Sequence, residues 1–396
     1  MNLFKRGVYL IISWIIVVVS PFLMLFKIKV GTLTCNRIGH LALDTDVFLR
    51  RLHGGEIDLS YRYIFFINPK KVVNKQLMLM FSRVLTIIES RYIYSIIKHC
   101  SVLLRKLKLL QELPMLSLEY EERIRVPTSL YMTNEEVEVG KEQLESLGFN
   151  TGKDKLVCIF ARDSSYLEQC GPKMDRNYHN FRDSDIDTYI PAIEYLIEQG
   201  YWVFRIGSHP KKCVAYQHKH FIDYPFSTIR SEFMDIFLIW ASYFVVGTPS
   251  GICDVAIILD KPFLGVNYTP LGYSVYGRDC LYVPKKLMDN SSKKIKPFYK
   301  LWPCCHNPLD LASGHVMAEK YNVTFIDNTP QDILAATKEM LERVRNQWRP
   351  NDHEQTLLKR YYEEFWVNNP IAAHVKTPVG LTWLQENTQL YFKELN

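Results

Sequence analysis

Residues 244–259 read FVVGTPSGICDVAIIL, and this stretch is the most informative in the chain. A short β-branched run ends in Gly247-Thr248-Pro249-Ser250-Gly251 and passes into an apolar run of helical length. The spacing predicts a buried strand, a tight turn and a helix. Such a turn sets backbone N–H groups and small hydroxyls at a helix N-terminus, where the partial positive charge favours a phosphate. It lacks the Gly-Lys-Ser/Thr ending of a P-loop. An ordinary strand-to-helix turn with Ser250 as N-cap would account for the same residues.

Working outward, the same rhythm repeats. LVCIFAR (156–162) and YWVFRIG (201–207) are strands, and DIDTYIPAIEYLIEQ (185–199) between them is an amphipathic helix capped by Ser184 and closed by Gly200. FIDY, the helix SEFMDIFLIWA (231–241), YFVVG (243–247) and PFLGVN (262–267) follow, and Thr329-Pro330-Gln331-Asp332 opens a late helix. Strands alternating with helices at short intervals imply a doubly wound parallel sheet. Toward the N-terminus, KVGTLTC (29–35) and YRYIFFIN (61–68) are strands, with helices over 36–52, after Pro69 and around 93–110. Periodicity fades over 113–127, where the inter-domain connection is placed, and Thr133-x-x-Glu136 is a capping-box signature opening the next helix.

A chain of 396 residues is too long for one ordinary core and comfortable for two. The expected parts are a membrane-associating segment (1–27), an N-terminal Rossmann-like domain (28–130), a C-terminal Rossmann-like domain (131–345) and a helical extension (346–396). The segment VYLIISWIIVVVSPFLMLF (8–26) has 19 residues without a charge, enough to cross about 30 Å of hydrocarbon as a helix. Basic residues at both ends choose no orientation, and Pro21 disfavours a continuous span, so spanning and lying in the interface both stay open.

Residues 1–110 hold 17 Lys and Arg against 5 Asp and Glu, whereas the rest holds 31 against 37. A basic first third suits anionic headgroups or glycans. No helix-turn-helix, zinc-finger or RNP pattern accompanies it, so nucleic acid is not the expected partner. Nine scattered cysteines without a Cys-x-x-Cys pair read as reduced thiols rather than a disulfide framework. Cys304-Cys305-His306 resembles half a metal site, but no second cluster has suitable spacing and packing is the better reading, and Asp44-Thr45-Asp46 lies within a helix pattern. No metal or cofactor is expected.

Polar residues gather at strand ends. Arg162 and Asp163 end one strand; Arg205, Gly207 and Ser208 stand at the end of the next. In one parallel sheet these ends share a rim, where two arginines can grip a pyrophosphate. Arg205 sits in an apolar strand and needs a partner, so a structural ion pair is the competing reading. In the first domain Asn36-Arg37-Ile38-Gly39-His40 follows the first strand in a loop, with Asp44 one helical turn after His40. Histidine serves as a general base near neutral pH. A helix cap or surface pair explains the same two residues.

Together, RIGHLALD (37–44), HNFRDSDIDTYIPAIEYL (179–196), GYWVFRIG (200–207), DYPFS (223–227), EFMDIFL (232–238), GTPSG (247–251) and PFLGVNY (262–268) resemble a family of bacterial glycosyltransferases of surface-polysaccharide gene clusters. That family is similar in turn to the GT-B fold. The resemblance implies two Rossmann-type parallel-sheet α/β domains facing a cleft, the C-terminal one holding a nucleotide sugar. It makes Arg162, Arg182, Arg205, Thr248, Ser250 and Gly251 candidate donor contacts, joined by Asp163, Gly207 and Ser208 from the strand ends. Asn36, Arg37 and Gly39 fall on the acceptor side, and His40 or Asp44 becomes the base. At 180–184 the family would have an amide near Asp183. The implied acceptor is a glycan or lipid-linked sugar at the cytoplasmic face of the inner membrane. A nucleotide-sugar epimerase or hydrolase of the same fold, or a non-catalytic membrane-attached assembly partner, are the alternatives.

Overall fold

The computed structural model describes residues 3–114, 121–163, 177–208, 210–269, 271, 277–301, 313–368 and 377–393, with the side chains of 3–10 and 177–179 left aside. Cys170 and Cys304-Cys305-His306 lie outside the described residues, as do parts of the connection and of the C-terminal extension. The chain divides into two compact units. Unit 1 takes Met1–Ser117 and Glu122–Met132; unit 2 takes Leu118–Glu121 and Thr133–Asn396.

Unit 1 is built on three parallel strands, β1 (Ile28–Thr32), β2 (Arg62–Ile67) and β3 (Thr86–Glu89), in the order β1-β2-β3. A parallel bridge from Val30 to Leu110 extends the free side of β1. Its helices are α1 (Leu3–Leu25), α2 (Ile38–His53), α3 (Lys75–Val84), α4 (Arg91–His99), α5 (Ser101–Lys106) and α6 (Glu121–Arg125). Two sequence readings are corrected. TIIE forms a third strand, missed because it is short and mostly exposed at the sheet edge. The single helix around 93–110 is two, divided at Cys100.

Helix α1 continues through Pro21 and carries two faces. Ile16 and Leu23 pack on the cluster of Phe66, Ile97, Leu104 and Leu109, while Ser20 is buried and donates its hydroxyl to the Val17 carbonyl. Ile11, Trp14, Ile15, Val18, Phe22 and Leu25 are exposed, Trp14 at 69%. Among the described residues no helix is long and apolar enough to cross a membrane. On α2, Asp46 accepts two bonds from Arg50 Nε at 3.0 and 2.9 Å, and Arg123 of α6 lies 3.5 Å away. All three are buried.

Unit 2 opens with α7 (Asn134–Glu145), whose capping box is formed by Thr133 and Glu136 as the sequence predicts. Its sheet comprises β4 (Lys155–Phe160), β5 (Tyr201–Arg205), β6 (Phe221–Asp223), β7 (Val245–Gly247), β8 (Phe263–Tyr268) and β9 (Cys280–Pro284). The order is β6-β5-β4-β7-β8-β9, with every pair parallel. This is the Rossmann strand order, and its switch point lies between β4 and β7. The strands read as continuous apolar runs because helices cover both faces, and β5 and β9 are buried throughout. Those helices are α8 (Ile190–Glu198), α9 (Glu232–Ala241), α10 (Gly251–Ile258), α11 (Gly314–Lys320) and α12 (Pro330–Val344). An antiparallel pair, β10 (Lys286–Asp289) with β11 (Val323–Ile326), stands beside this sheet in sequence and was not foreseen.

The segment 185–199 begins as a 3-10 turn over Ile186–Tyr189 whose cap is Asp185, so Ser184 is not the cap. Pro191 in the first turn of α8 suits a helix start there. The C-terminal part, α13 (Asp352–Arg360) and α14 (Leu381–Glu386), joins unit 2. The hydroxyls of Tyr282 and Tyr361 meet at 2.5 Å, Phe298 stacks on Trp383, and the Leu381 N–H donates to Glu339 at 2.6 Å.

Candidate functional site

The turn after β7 is shaped by close approach. A Cβ on Gly247 would stand 2.9 Å from Cys253 Sγ and 3.1 Å from the Phe160 carbonyl, so strand and helix meet here only with glycine. Ser250 occupies the N-cap of α10, but its side chain makes no cap hydrogen bond; it donates to Cys253 Sγ at 3.4 Å. The thiol in turn donates to the Thr248 carbonyl at 3.0 Å. Ser250 is thus the N-cap by position, its carbonyl accepting from the Cys253 and Asp254 N–H groups at 3.1 and 3.2 Å, while its hydroxyl is turned to the thiol and not to the helix backbone.

Across the switch point, the backbone N–H of Arg162 donates to Thr248 Oγ1 at 2.9 Å, and Thr248 N–H reaches the Phe160 carbonyl at 3.3 Å. The Arg162 guanidinium pairs with Asp183, and the Ser184 N–H donates to the Arg162 carbonyl at 2.9 Å. Burial pulls the Arg162 guanidinium down to about 10, with the neighbouring Arg182 charge adding and Asp163 opposing. The 180–184 loop is thus the bracket that holds Arg162.

A second buried cation joins this bracket. Lys285, immediately after β9 and 3% exposed, donates to the Asp183 carbonyl at 2.7 Å and pairs with Asp327 at 2.6 Å. Burial pushes its ammonium below the usual lysine range, Asp327 opposes, and the Arg162 charge adds. Beside it, Asn267 Nδ2 donates to Ser184 Oγ at 2.8 Å, while Asn267 and Asn328 exchange bonds between side chain and backbone at 2.5 and 2.6 Å. Ends of β4, β7, β8 and β9 are thereby tied into one rim. Its cations are Arg162, Arg182 and Lys285, and its carboxylates include Asp183 and Asp327.

Lys285, Asn267 and Asn328 were not singled out from sequence. LYV (281–283) is too short and too close to Pro284 to announce a strand, and the partner of Lys285 lies about forty residues on. Arg205 goes elsewhere. It is 2% exposed and donates to Asp223 at 2.9 Å, its register partner on β6, while Asp223 also accepts from the Val214 N–H at 2.9 Å. The structural ion pair is the geometry found. Gly207 takes a φ of +134°, which explains glycine after β5. Asp163 accepts from the Lys211 N–H at 2.9 Å. Ser208 follows Gly207 and is half-buried.

In unit 1, Asn36 and Arg37 lead into α2, and Gly39, His40 and Asp44 belong to the helix itself, not to a loop. His40 Nδ1 lies 3.2 Å from Asp44 Oδ2, with Asp44 buried and the imidazole half-buried. A carboxylate on Nδ1 fixes the tautomer that leaves Nε2 as the proton acceptor. Among the described residues no group of three His, Cys, Asp or Glu side chains is placed to hold a metal.

No protein-family model and no curated protein matches the chain. Among solved structures it is similar to a glycosyl transferase family 9 protein from Veillonella parvula DSM 2008, at 10% identity and a TM-score of 0.46 over 80% of this chain and 98% of that one. It is similar to the E. coli ADP-heptose LPS heptosyltransferase II at 10% identity and 0.38, over 64% and 90%. A third is E. coli heptosyltransferase WaaC with ADP-2-deoxy-2-fluoro heptose, at 11% and 0.39, over 65% and 92%. These likenesses fall short of an assignment, and the reading of the site stands on its own residues.

Proposed function

We propose that the chain is a glycosyltransferase that takes a sugar from a nucleotide donor bound by unit 2 and passes it to a glycan or lipid-linked acceptor in surface-polysaccharide synthesis. The observation that carries this reading is the rim at the switch point of the unit 2 sheet. There, two buried cations, Arg162 and Lys285, share the Asp183 bracket, and Thr248 links Arg162 to the turn that opens α10. Carboxyl ends of parallel strands at a switch point are where such sheets hold nucleotides. Buried cations and helix N–H groups stabilise a departing nucleotide diphosphate. His40, oriented by Asp44, is the base that takes the proton from the acceptor hydroxyl. The exposed apolar face of α1 lies in the membrane interface, on the cytoplasmic face of the inner membrane, where a lipid-linked acceptor resides.

Thermal-shift titration of the full chain in detergent with UDP, GDP, ADP, CMP and their sugars tests the donor site. One nucleotide stabilises the protein, and Arg162→Gln weakens its binding by about ten- to a hundredfold, the worth of a charge-assisted hydrogen bond. No stabilisation by any of them returns the chain to a non-catalytic assembly role. Sugar release or isomerisation without acceptor would make it a hydrolase or epimerase.

A further inference from the structure

Unit 1 contains a cavity of about 430 Å³ lined by Asn68, Lys71, Arg91, Ser95, Lys98 and His99, with Tyr92 and Tyr94 completing its wall. None of these is a carboxylate. The cavity lies at the carboxyl ends of two parallel strands, since Asn68 follows β2 directly and Arg91 opens α4 just after β3. The Asn68 carbonyl accepts from Cys35 Sγ at 3.9 Å, and the Val73 N–H donates to the Cys35 carbonyl at 2.9 Å, which ties this corner to the segment before α2. Lys71, just after β2, and Lys98, on α4, line the cavity from different elements. His99 Nδ1 donates to the Ser95 carbonyl at 2.7 Å, which turns the other ring nitrogen away from the helix backbone.

The wall of this cavity is also the surface on which α1 rests. Tyr94 and Ile97 of α4 share a cluster with Ile16 and Leu23 of α1. On α4 itself Tyr92 and Ile93 are exposed. A basic cavity thus stands in the same layer as a helix whose outer face is apolar. We propose that this cavity binds the phosphomonoester or diphosphate headgroup of a lipid in the membrane on which α1 lies. Guanidinium and ammonium groups with a hydroxyl and an amide are the donors such a headgroup accepts from, and the volume is that of a small-molecule site. The inference rests on the membrane reading of α1 but not on sugar transfer.

Flotation of the full chain with three kinds of vesicle tests it: phosphatidylcholine alone, phosphatidylcholine with phosphatidic acid, and phosphatidylcholine with phosphatidylglycerol at matched surface charge. The chain prefers the phosphatidic acid vesicles. The Lys71→Gln/Arg91→Gln/Lys98→Gln variant, checked for an unchanged Tm, loses that preference, by about fivefold for each charge removed. Lys106→Gln/Lys108→Gln, outside the cavity, weakens both anionic vesicles alike and keeps the preference, as does Lys71→Arg/Lys98→Arg. Equal binding to both anionic vesicles, or a preference that survives the triple change, overturns the proposal. Inorganic diphosphate bound in calorimetry by the parent and not by the triple variant, without any vesicle preference, assigns the cavity to a soluble phosphate and overturns the lipid source. Failure to bind any vesicle sinks the α1 reading separately, and it leaves nucleotide binding untouched.

Discussion

Arg162 is the side chain on which the proposed donor site turns. Its guanidinium is buried, it is depressed to about 10 chiefly by that burial, and it has Arg182 as a neighbour. A cation held at such a cost gains more from an arriving diphosphate than an exposed one does, because the anion relieves both the desolvation and the like-charge penalty. His40 is the proposed general base in unit 1. Replacing it with alanine should lower kcat by about 10²- to 10⁴-fold, the usual worth of a general base, while nucleotide affinity in calorimetry stays at the parent value. Asp44→Asn should lower kcat with little change in KM, since it loosens the imidazole without removing it. A parental kcat in both variants would exclude this pair from the chemistry. Arg205 is held within the sheet by its register partner Asp223, and its loss should be read as a stability change.

At the scale of elements, the join between α2 and α6 is a buried charge network. Asp46 serves both Arg50 and Arg123. Asp46→Ala should therefore destabilise unit 1 by about 3–5 kcal/mol in urea unfolding, because it strands buried cations. Arg51 is partly exposed, but its partner Glu122 is buried, so truncating Arg51 should also destabilise unit 1, by stranding that carboxylate. The end of β10 offers a pH test. Asp289 accepts from the Ser292 and Ser291 N–H groups and from Lys296, and these hold its carboxyl at about 2, below the ordinary range. Because the folded value lies below the unfolded one, the stabilisation is present above the usual carboxylate range and disappears as pH falls through about 2. Asp289→Asn should flatten the acid slope of Tm in that window and match the parent below it. The same elements explain what the sequence let through. Apart from β9, the strands of the unit 2 sheet announce themselves as apolar runs, and Thr133 and Thr329 stand at the starts of their helices, each closing a capping box. β3 stays silent because it is mostly exposed at the sheet edge, and β9 because its apolar run is cut short at Pro284. Arg162 was legible as a charge closing an apolar strand. Lys285 was not, because its role is conferred by Asp183 and Asp327, which only the folded chain brings to it.

At the scale of the molecule, the largest run of exposed apolar side chains among the described residues is on α1, held to unit 1 along the line of Ile16, Ser20 and Leu23. Ile11→Ser/Trp14→Ser/Phe22→Ser should abolish sedimentation with neutral vesicles while leaving the Tm of the two units unchanged, and a blue shift of Trp14 emission on adding vesicles to the parent should vanish with it. Vesicle binding undiminished in that variant would place the contact elsewhere. The cysteines add a consequence of a different kind. Cys35 and Cys100 are buried in unit 1, Cys158 and Cys253 in unit 2, and Cys213 is exposed. A thiol-reactive mass tag applied in rising urea therefore records the opening of each unit at its own positions, and Cys213 supplies the rate of the unprotected reaction against which both are timed.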